Sequence, residues 1–403
     1  MKNYLLLVLS FFLCTSKAVA QTDDFVTDAI VAETQPWNVR IKARIDSVLT
    51  TPLLETTQLG LMVYDLTADT VVYTFGHRQR LRPASTMKVL TAITALDRLG
   101  ADYQLRTSLY VTGRIAGNTL IGNVICVGGM DPMFDRTDMQ AFVSQLRQMG
   151  ITTIQGRIVG DTSFKDADRL GEGWCWDDDN PVLTPLLYDR KDSFVEQFTA
   201  ELKRGGITVS SQGAAANQPR ATRRLVGTRS HSVAQVLVDM MKESDNLYAE
   251  SLFYQLATLT NNKTATAKLA ASQVRQTIQR AGLQPGDYRI ADGSGLSLYN
   301  YVSAELEVAF LRYAWQHEAM FIPLYDALPI AGVDGTLKNR MQKGRAIDNV
   351  HAKTGSVSGI SSLAGYCTSA EGHQLAFCII NQGVKQMSDG RGLQDQLCEI
   401  MCE

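Results

Sequence analysis

Little in these 403 residues points to a bound metal, a nucleic acid or a membrane. Histidine is scarce, five in all, and none of the seven cysteines sits in a C-x-x-C pair, so the ligand spacings of a zinc site are missing. Formal net charge is only −2, with basic and acidic residues mixed along the chain, and no basic stripe that would follow a phosphate backbone. Beyond the first twenty residues no apolar run approaches the roughly 20 residues that span a bilayer. Internal repeats, low-complexity tracts and runs of like charge are also missing. These absences predict a globular chain with no metal, no cofactor and no nucleic-acid partner.

What is present begins with a leader. Lys2 precedes an apolar stretch over residues 4–13, and Ala18-Val19-Ala20 then offers small residues before Gln21. That order predicts a secretory signal over residues 1–20 and an exported, periplasmic mature chain with no stable membrane span. An uncleaved anchor, or lipoprotein processing at Cys14, fits less well, because the run is short and bulky Leu13 precedes the cysteine. Export permits disulfides. Cys367 and Cys378 flank a predicted turn at Glu371-Gly372 and are placed to face each other, while Cys398 and Cys402 sit one helical turn apart. Bridged and buried-thiol states stay open for both pairs.

Periodicity predicts a helix over 37–49, a hairpin of strands 59–64 and 70–75, and a helix over 85–99 ended by Gly100. From about residue 105 the texture changes. Strands at 105–111, 119–127 and 156–160, helices at 138–149 and 193–204, and a Gly/Ala/Asn/Gln-rich loop at 210–220 suggest a separate α+β unit. Helices dominate from 232 to 317, and strands 350–355, 361–367 and 374–381 precede a last helix over 389–402. The expected organisation is therefore a first part over 21–104, an inserted domain over 105–222, and a second part over 223–403.

Three short motifs occur in order: Ser85-Thr86-Met87-Lys88, Ser244-Asp245-Asn246 and Lys353-Thr354-Gly355. Each is cheap alone, since an S-x-x-K or S-x-N turns up about once by chance in a chain this long. Together they describe serine acyl transfer with lysine as base. Ser85 and Lys88 share one helix face, and a lysine serves as base only if burial and nearby positive charge, here from Lys353, lower its pKa. Ser244 is placed to relay a proton and Asn246 to hold a substrate amide. Gly355 lets a peptide approach the strand edge closely. Lys353 and Thr354 offer a cation and a hydroxyl for a carboxylate, and the N–H groups of Ser356 and Ser85 offer an oxyanion site.

Further segments strengthen the pattern: Asp292-Gly293-Ser294-Gly295-Leu296-Ser297, Gly332 to Leu337, Gly128-Gly129-Met130-Asp131-Pro132 and Gly160-Asp161-Thr162-Ser163-Phe164. With the three motifs, the chain resembles the D-alanyl-D-alanine carboxypeptidase/endopeptidase family, the soluble class C penicillin-binding proteins, from about residue 59 to the end. The resemblance implies a β-lactamase/transpeptidase-like α/β (α+β) fold, an antiparallel sheet flanked by helices, with one inserted α+β domain. It implies a hydrolase acting on peptidoglycan stem peptides, with β-lactams as covalent inhibitors. Catalytic groups would be Ser85, Lys88, Ser244, Asn246 and Lys353, with Thr354, Gly355, Ser356 and Asp161 on the substrate.

Two departures are visible. The 159-residue spacing from Ser85 to Ser244 is short for members with a third nested domain, and Leu298 stands where the family usually has arginine. Alternatives are a β-lactamase, against which the missing E-x-x-L-N sequence between Asn246 and Lys353 argues, and a catalytically silent peptidoglycan or β-lactam sensor.

Overall fold

Alternation along the strands builds two cores on opposite faces of one sheet. In the Gln58–Asp65 strand, Leu61 and Val63 point to one side, and Met62 and Tyr64 to the other. A computed structural model describes residues 35–210 and 222–403. The leader over 1–20 with Cys14, and nearly all of the loop read at 210–220, lie outside the described residues.

The main sheet is five-stranded and antiparallel, in the order His351–Val357, Ile360–Thr368, Gln374–Gln382, Gln58–Asp65, Thr70–Phe75. One face packs on helices Met87–Arg98 and Ala304–Trp315, through residues such as Leu90, Ile93, Phe310 and Tyr366. The other is covered by Trp37–Val48 and Met387–Met401, through Ile41, Ile45, Leu397 and Phe377. This sheet between helices is the fold class expected from the sequence.

The cysteine geometry corrects one expectation. Register pairs Cys367 with Leu375 and Cys378 with Ala364, an offset of three, and an odd offset puts the two thiols on opposite faces. Cys367 lies in the core under the last helix, with Cys398 and Cys402, and Cys378 lies in the other. All six described cysteines are free thiols.

The chain between the nucleophile helix and the Ser-Asp-Asn motif forms two small sheets. Arg224–Ser232, Gln104–Val111, Val124–Val127 and Ile158–Asp161 make one; Arg114–Ala116, Thr119–Ile121, Thr153–Gln155 and Thr208–Ser210 make the other. Both share a single core, in which Phe142, Phe194 and Phe198 from the two helices of this unit meet Phe134 from the loop before the first of them. The run at 119–127 is two strands, because the chain passes from one sheet to the other at Gly122-Asn123. Arg224–Ser232 pairs with Gln104–Val111, so the sheet of the intervening segment continues past 222. A capping box between Asp135 and Asp138 starts the Arg136–Gln148 helix, an arrangement worth about 1 kcal/mol.

Candidate active site

The site is assembled from segments far apart in the chain: Lys88 and Asn246 are 158 residues apart, and Ser244 and Lys353 are 109 apart. Ser85 sits in the one-turn 3-10 helix Ala84–Thr86 ahead of the Met87–Arg98 helix. The strand carrying Lys353-Thr354-Gly355 lies directly beneath it. A Cβ on Gly355 would fall 2.1 Å from Ser362 Oγ, 2.8 Å from the Pro83 carbonyl and 2.9 Å from the Ser85 nitrogen. Only glycine lets strand and turn come this close. The loop at 292–297 closes from the other side, where a Cβ on Gly295 would meet the Ala84 carbonyl at 1.8 Å. Ala84 (φ 50°) and Ser244 (φ 62°) both hold left-handed backbone beside the site, a strain of order 1–3 kcal/mol each that the packing around them maintains.

Lys88 is fully buried, and its Nζ donates to Ser85 Oγ at 2.9 Å, Asn246 Oδ1 at 2.8 Å and the Ser294 carbonyl at 2.8 Å. Burial lowers its pKa to about 8, against the opposing charges of Asp292, Glu250 and Asp245. Lys353 is equally buried and donates to Ser244 Oγ at 2.8 Å and the Thr354 carbonyl at 2.7 Å. Burial first, then the charge of Lys88, holds its ammonium well below the ordinary lysine range. Both ammonium groups are therefore pushed toward the neutral form chiefly by burial.

Two helices hold the second motif. Ser232 caps the Val233–Lys242 helix, and Asp245 caps the Asn246–Leu256 helix by accepting from Tyr248 N–H at 3.1 Å. Asp245 also pairs with Arg190. Thr354 Oγ1 donates to Thr336 Oγ1 at 2.8 Å, and Ser85, Ser244, Thr354 and Ser356 line one cleft of about 490 Å³.

The sequence profile of the D-Ala-D-Ala carboxypeptidase 3 (S13) family matches residues 41–186 and 186–403. The chain belongs to this family. It is 26% identical to D-alanyl-D-alanine carboxypeptidase DacB of Haemophilus influenzae, over 82% of this chain and 86% of that one. It is likewise 26% identical to a D-alanyl-D-alanine carboxypeptidase of an Actinomadura species, over 85% and 81% of the two chains. Its fold matches the crystal structure of penicillin binding protein 4 (dacB) from Haemophilus influenzae, with a TM-score of 0.77 at 24% identity, covering 88% of this chain and 97% of that one.

In this S13 chain the three motifs converge, and Asp161 stands apart from them. Its carboxylate accepts from Ser163 at 2.6 Å and pairs with Arg223 at 2.9 Å, and it does not line the cleft of Ser85. Those contacts, Ser163 foremost, hold it below the usual carboxylate range. Leu298 is partly exposed, its N–H held by the Gly173 carbonyl at 3.1 Å.

Sequence reasoning missed the layer behind the motifs. Glu250, one turn after Asn246, accepts from the N–H groups of Gly293 at 3.0 Å and Ser294 at 2.8 Å, and burial with the charge of Asp292 pushes it up to about 8. Asp292 itself takes four N–H donors: Trp174 Nε1 at 2.8 Å, Ser297 at 2.7 Å, Gly295 at 2.9 Å and Asn300 Nδ2 at 2.6 Å. On the far side of Ser85, buried Glu307 accepts from Thr86 Oγ1 at 2.7 Å and is pushed up to about 7 by burial. The available signal was Glu250 at helical spacing from Asn246, on the same face.

Proposed function

We propose that this chain is a serine D-Ala-D-Ala carboxypeptidase/endopeptidase that trims or cleaves peptidoglycan stem peptides through an acyl-enzyme on Ser85, and that β-lactams acylate the same hydroxyl. The observation that carries this reading is the 2.9 Å contact between a buried lysine of lowered pKa and the Ser85 hydroxyl. A serine needs a proton acceptor at hydrogen-bond range to become a nucleophile.

Ser85 Oγ attacks the carbonyl carbon of the penultimate D-alanine while its proton passes to neutral Lys88 Nζ. The N–H groups of Ser85 and Ser356 receive the developing oxyanion. The C–N bond then breaks, and Ser244, resupplied through the two lysines, protonates the leaving amine. Water cleaves the resulting ester with Lys88 again as base, which releases the trimmed peptide and restores Ser85. Asn246 accepts from Lys88 through its Oδ1, which leaves its amide nitrogen to donate to a carbonyl of the substrate backbone.

The cleft around Ser85 and Ser356 is lined by no carboxylate among the described residues. That supports a peptidase with long-lived penicilloyl adducts over a lactamase with a glutamate-activated water. The leader over residues 1–20 supports export to the periplasm, and among the described residues no helix is long and apolar enough to cross a membrane. Labelled penicillin should attach to the wild-type chain and not to Ser85→Ala, and D-alanine release from purified muropeptides should vanish with it. Either activity persisting in Ser85→Ala would refute the assignment.

A further inference from the structure

A carboxyl group buried without a cation is costly, and one lies behind the nucleophile where the acyl-transfer steps make no use of it. Glu307, near the start of the Ala304–Trp315 helix, is fully buried. Its Oε2 has no hydrogen-bond partner, and no cation lies within 4 Å of it among the described residues. The polar groups that face it are the Thr86 hydroxyl and the Cys378 thiol. An apolar side chain of the same length would fill this space at lower cost. The fold alone therefore gives no reason for an acid here.

Its other oxygen supplies one. Glu307 Oε1 lies 2.7 Å from Thr86 Oγ1, the same hydroxyl lies 2.9 Å from the Pro83 carbonyl, and that carbonyl also accepts from Ser362 Oγ at 2.5 Å. Pro83 and Thr86 are the two ends of the turn whose middle is Ala84-Ser85. Ala84 holds left-handed backbone (φ 50°), which a residue other than glycine keeps only where its surroundings over-determine it. A clip from the buried helix to Thr86, and from Thr86 back to Pro83, fastens both ends of that turn. Glu307 stays tied to the hydroxyl in either protonation state, as acceptor when ionised and as donor when neutral.

We infer that Glu307 is a positioning residue for acylation: through Thr86 it holds the Pro83–Thr86 turn so that Ser85 Oγ faces Lys88 and the Ser85 N–H faces the developing oxyanion. The inference rests on the proposed serine acyl transfer and adds to it a group outside the three motifs. Glu307 touches neither the substrate nor the reacting atoms. Its burden on the fold and its service to the rate are separate, so removing it moves stability and activity in opposite directions.

The test follows labelled-penicillin acylation and thermal melting in Glu307→Met, Glu307→Gln and Thr86→Val. Glu307→Met keeps the length of the side chain and removes both oxygens. It should lower the acylation rate constant roughly 10- to 100-fold and leave the reversible binding of penicillin within about threefold. Its melting temperature should rise by about 1–4 °C at pH 8, and by less at pH 5, where the wild-type carboxyl is neutral. Glu307→Gln keeps a polar group against Thr86 and should acylate within about threefold of wild type. Thr86→Val should slow acylation as well, and the loss in Glu307→Met/Thr86→Val should fall short of the product of the two single losses. An unchanged rate in Glu307→Met, a melting temperature that falls together with the rate, a Glu307→Gln rate as low as that of Glu307→Met, or losses that multiply would overturn the role of Glu307 alone. A wild-type chain that binds no penicillin and releases no D-alanine would overturn the acyl-transfer reading and this one with it.

Discussion

Asp292→Asn is the most informative single change behind the site. Each oxygen of this buried carboxylate accepts two N–H donors: Oδ1 from Gly295 and Asn300, Oδ2 from Trp174 and Ser297. An amide in its place must point its NH₂ at one of these pairs, whichever way it is turned. Asn300 cannot flip to help, because its own oxygen holds the Ala291 and Asp292 N–H groups. Two buried donors are therefore orphaned, at about 1–3 kcal/mol each, a loss of roughly 2–6 kcal/mol and a fall in melting temperature on the order of 3–8 °C. The loop that moves carries the Ser294 carbonyl that holds Lys88. Asp292 also raises the pKa of Lys88, so removing its charge lowers that pKa below about 8. Penicillin acylation followed from pH 6 to 10 should show a reduced plateau and an acid limb displaced to lower pH. An unchanged melting curve with an unchanged acid limb would refute the reasoning.

Other expectations can be checked with the same assays. With Lys88 as base, wild-type acylation should climb about tenfold per pH unit below 8 and level off above it, because only the neutral amine accepts the proton. Lys88→Met should lower the rate by 10² to 10⁴. Gly355→Ala places a methyl group against the Ser85 nitrogen and the Pro83 carbonyl, so acylation should fall at least about 100-fold, read as the rate of labelled-penicillin attachment. Glu307 is raised from its ordinary value of 4.5 to about 7 in the folded chain. Its contribution to stability is complete below pH 4.5 and is lost as pH rises through 7. Glu307→Gln does not ionise, so melting temperatures measured across pH 4.5–7.5 should flatten relative to wild type.

The sequence made the motif-bearing elements readable because each carries a local signal. Ser232 and Asp245 are helix caps, the helix after Ser85 repeats its apolar residues at helical spacing, and Gly100 ends it. Strands of the main sheet declared themselves by apolar runs. Arg224–Ser232 did not, since it is an edge strand rich in arginine, serine and histidine and buries little. Three-residue strands such as Arg114–Ala116 and Thr208–Ser210 are too short for any period to show. Within the site, Ser85 and Lys88 were readable as a pair three residues apart. The Ser294 carbonyl, 206 residues from Lys88 and contributed by backbone, has no residue-type signature. How far burial lowers the two lysines depends on packing, which only the folded chain defines. The thiols at 367 and 378 were misplaced for a similar reason: which face a strand residue takes depends on a register that the turn sets.

The indole of Trp174 belongs to the intervening segment, while the carboxylate it serves lies 118 residues away in the part of the chain that completes the pocket. Deleting the small sheets to obtain a minimal enzyme would leave Ser85, Ser244 and Lys353 intact in sequence yet strip Asp292 of a donor and uncover the loop beneath the lysine. Engineers who trim or transplant this scaffold will need to carry the Gly173-Trp174 stretch along with the pocket, because the shape of one is written partly in the other.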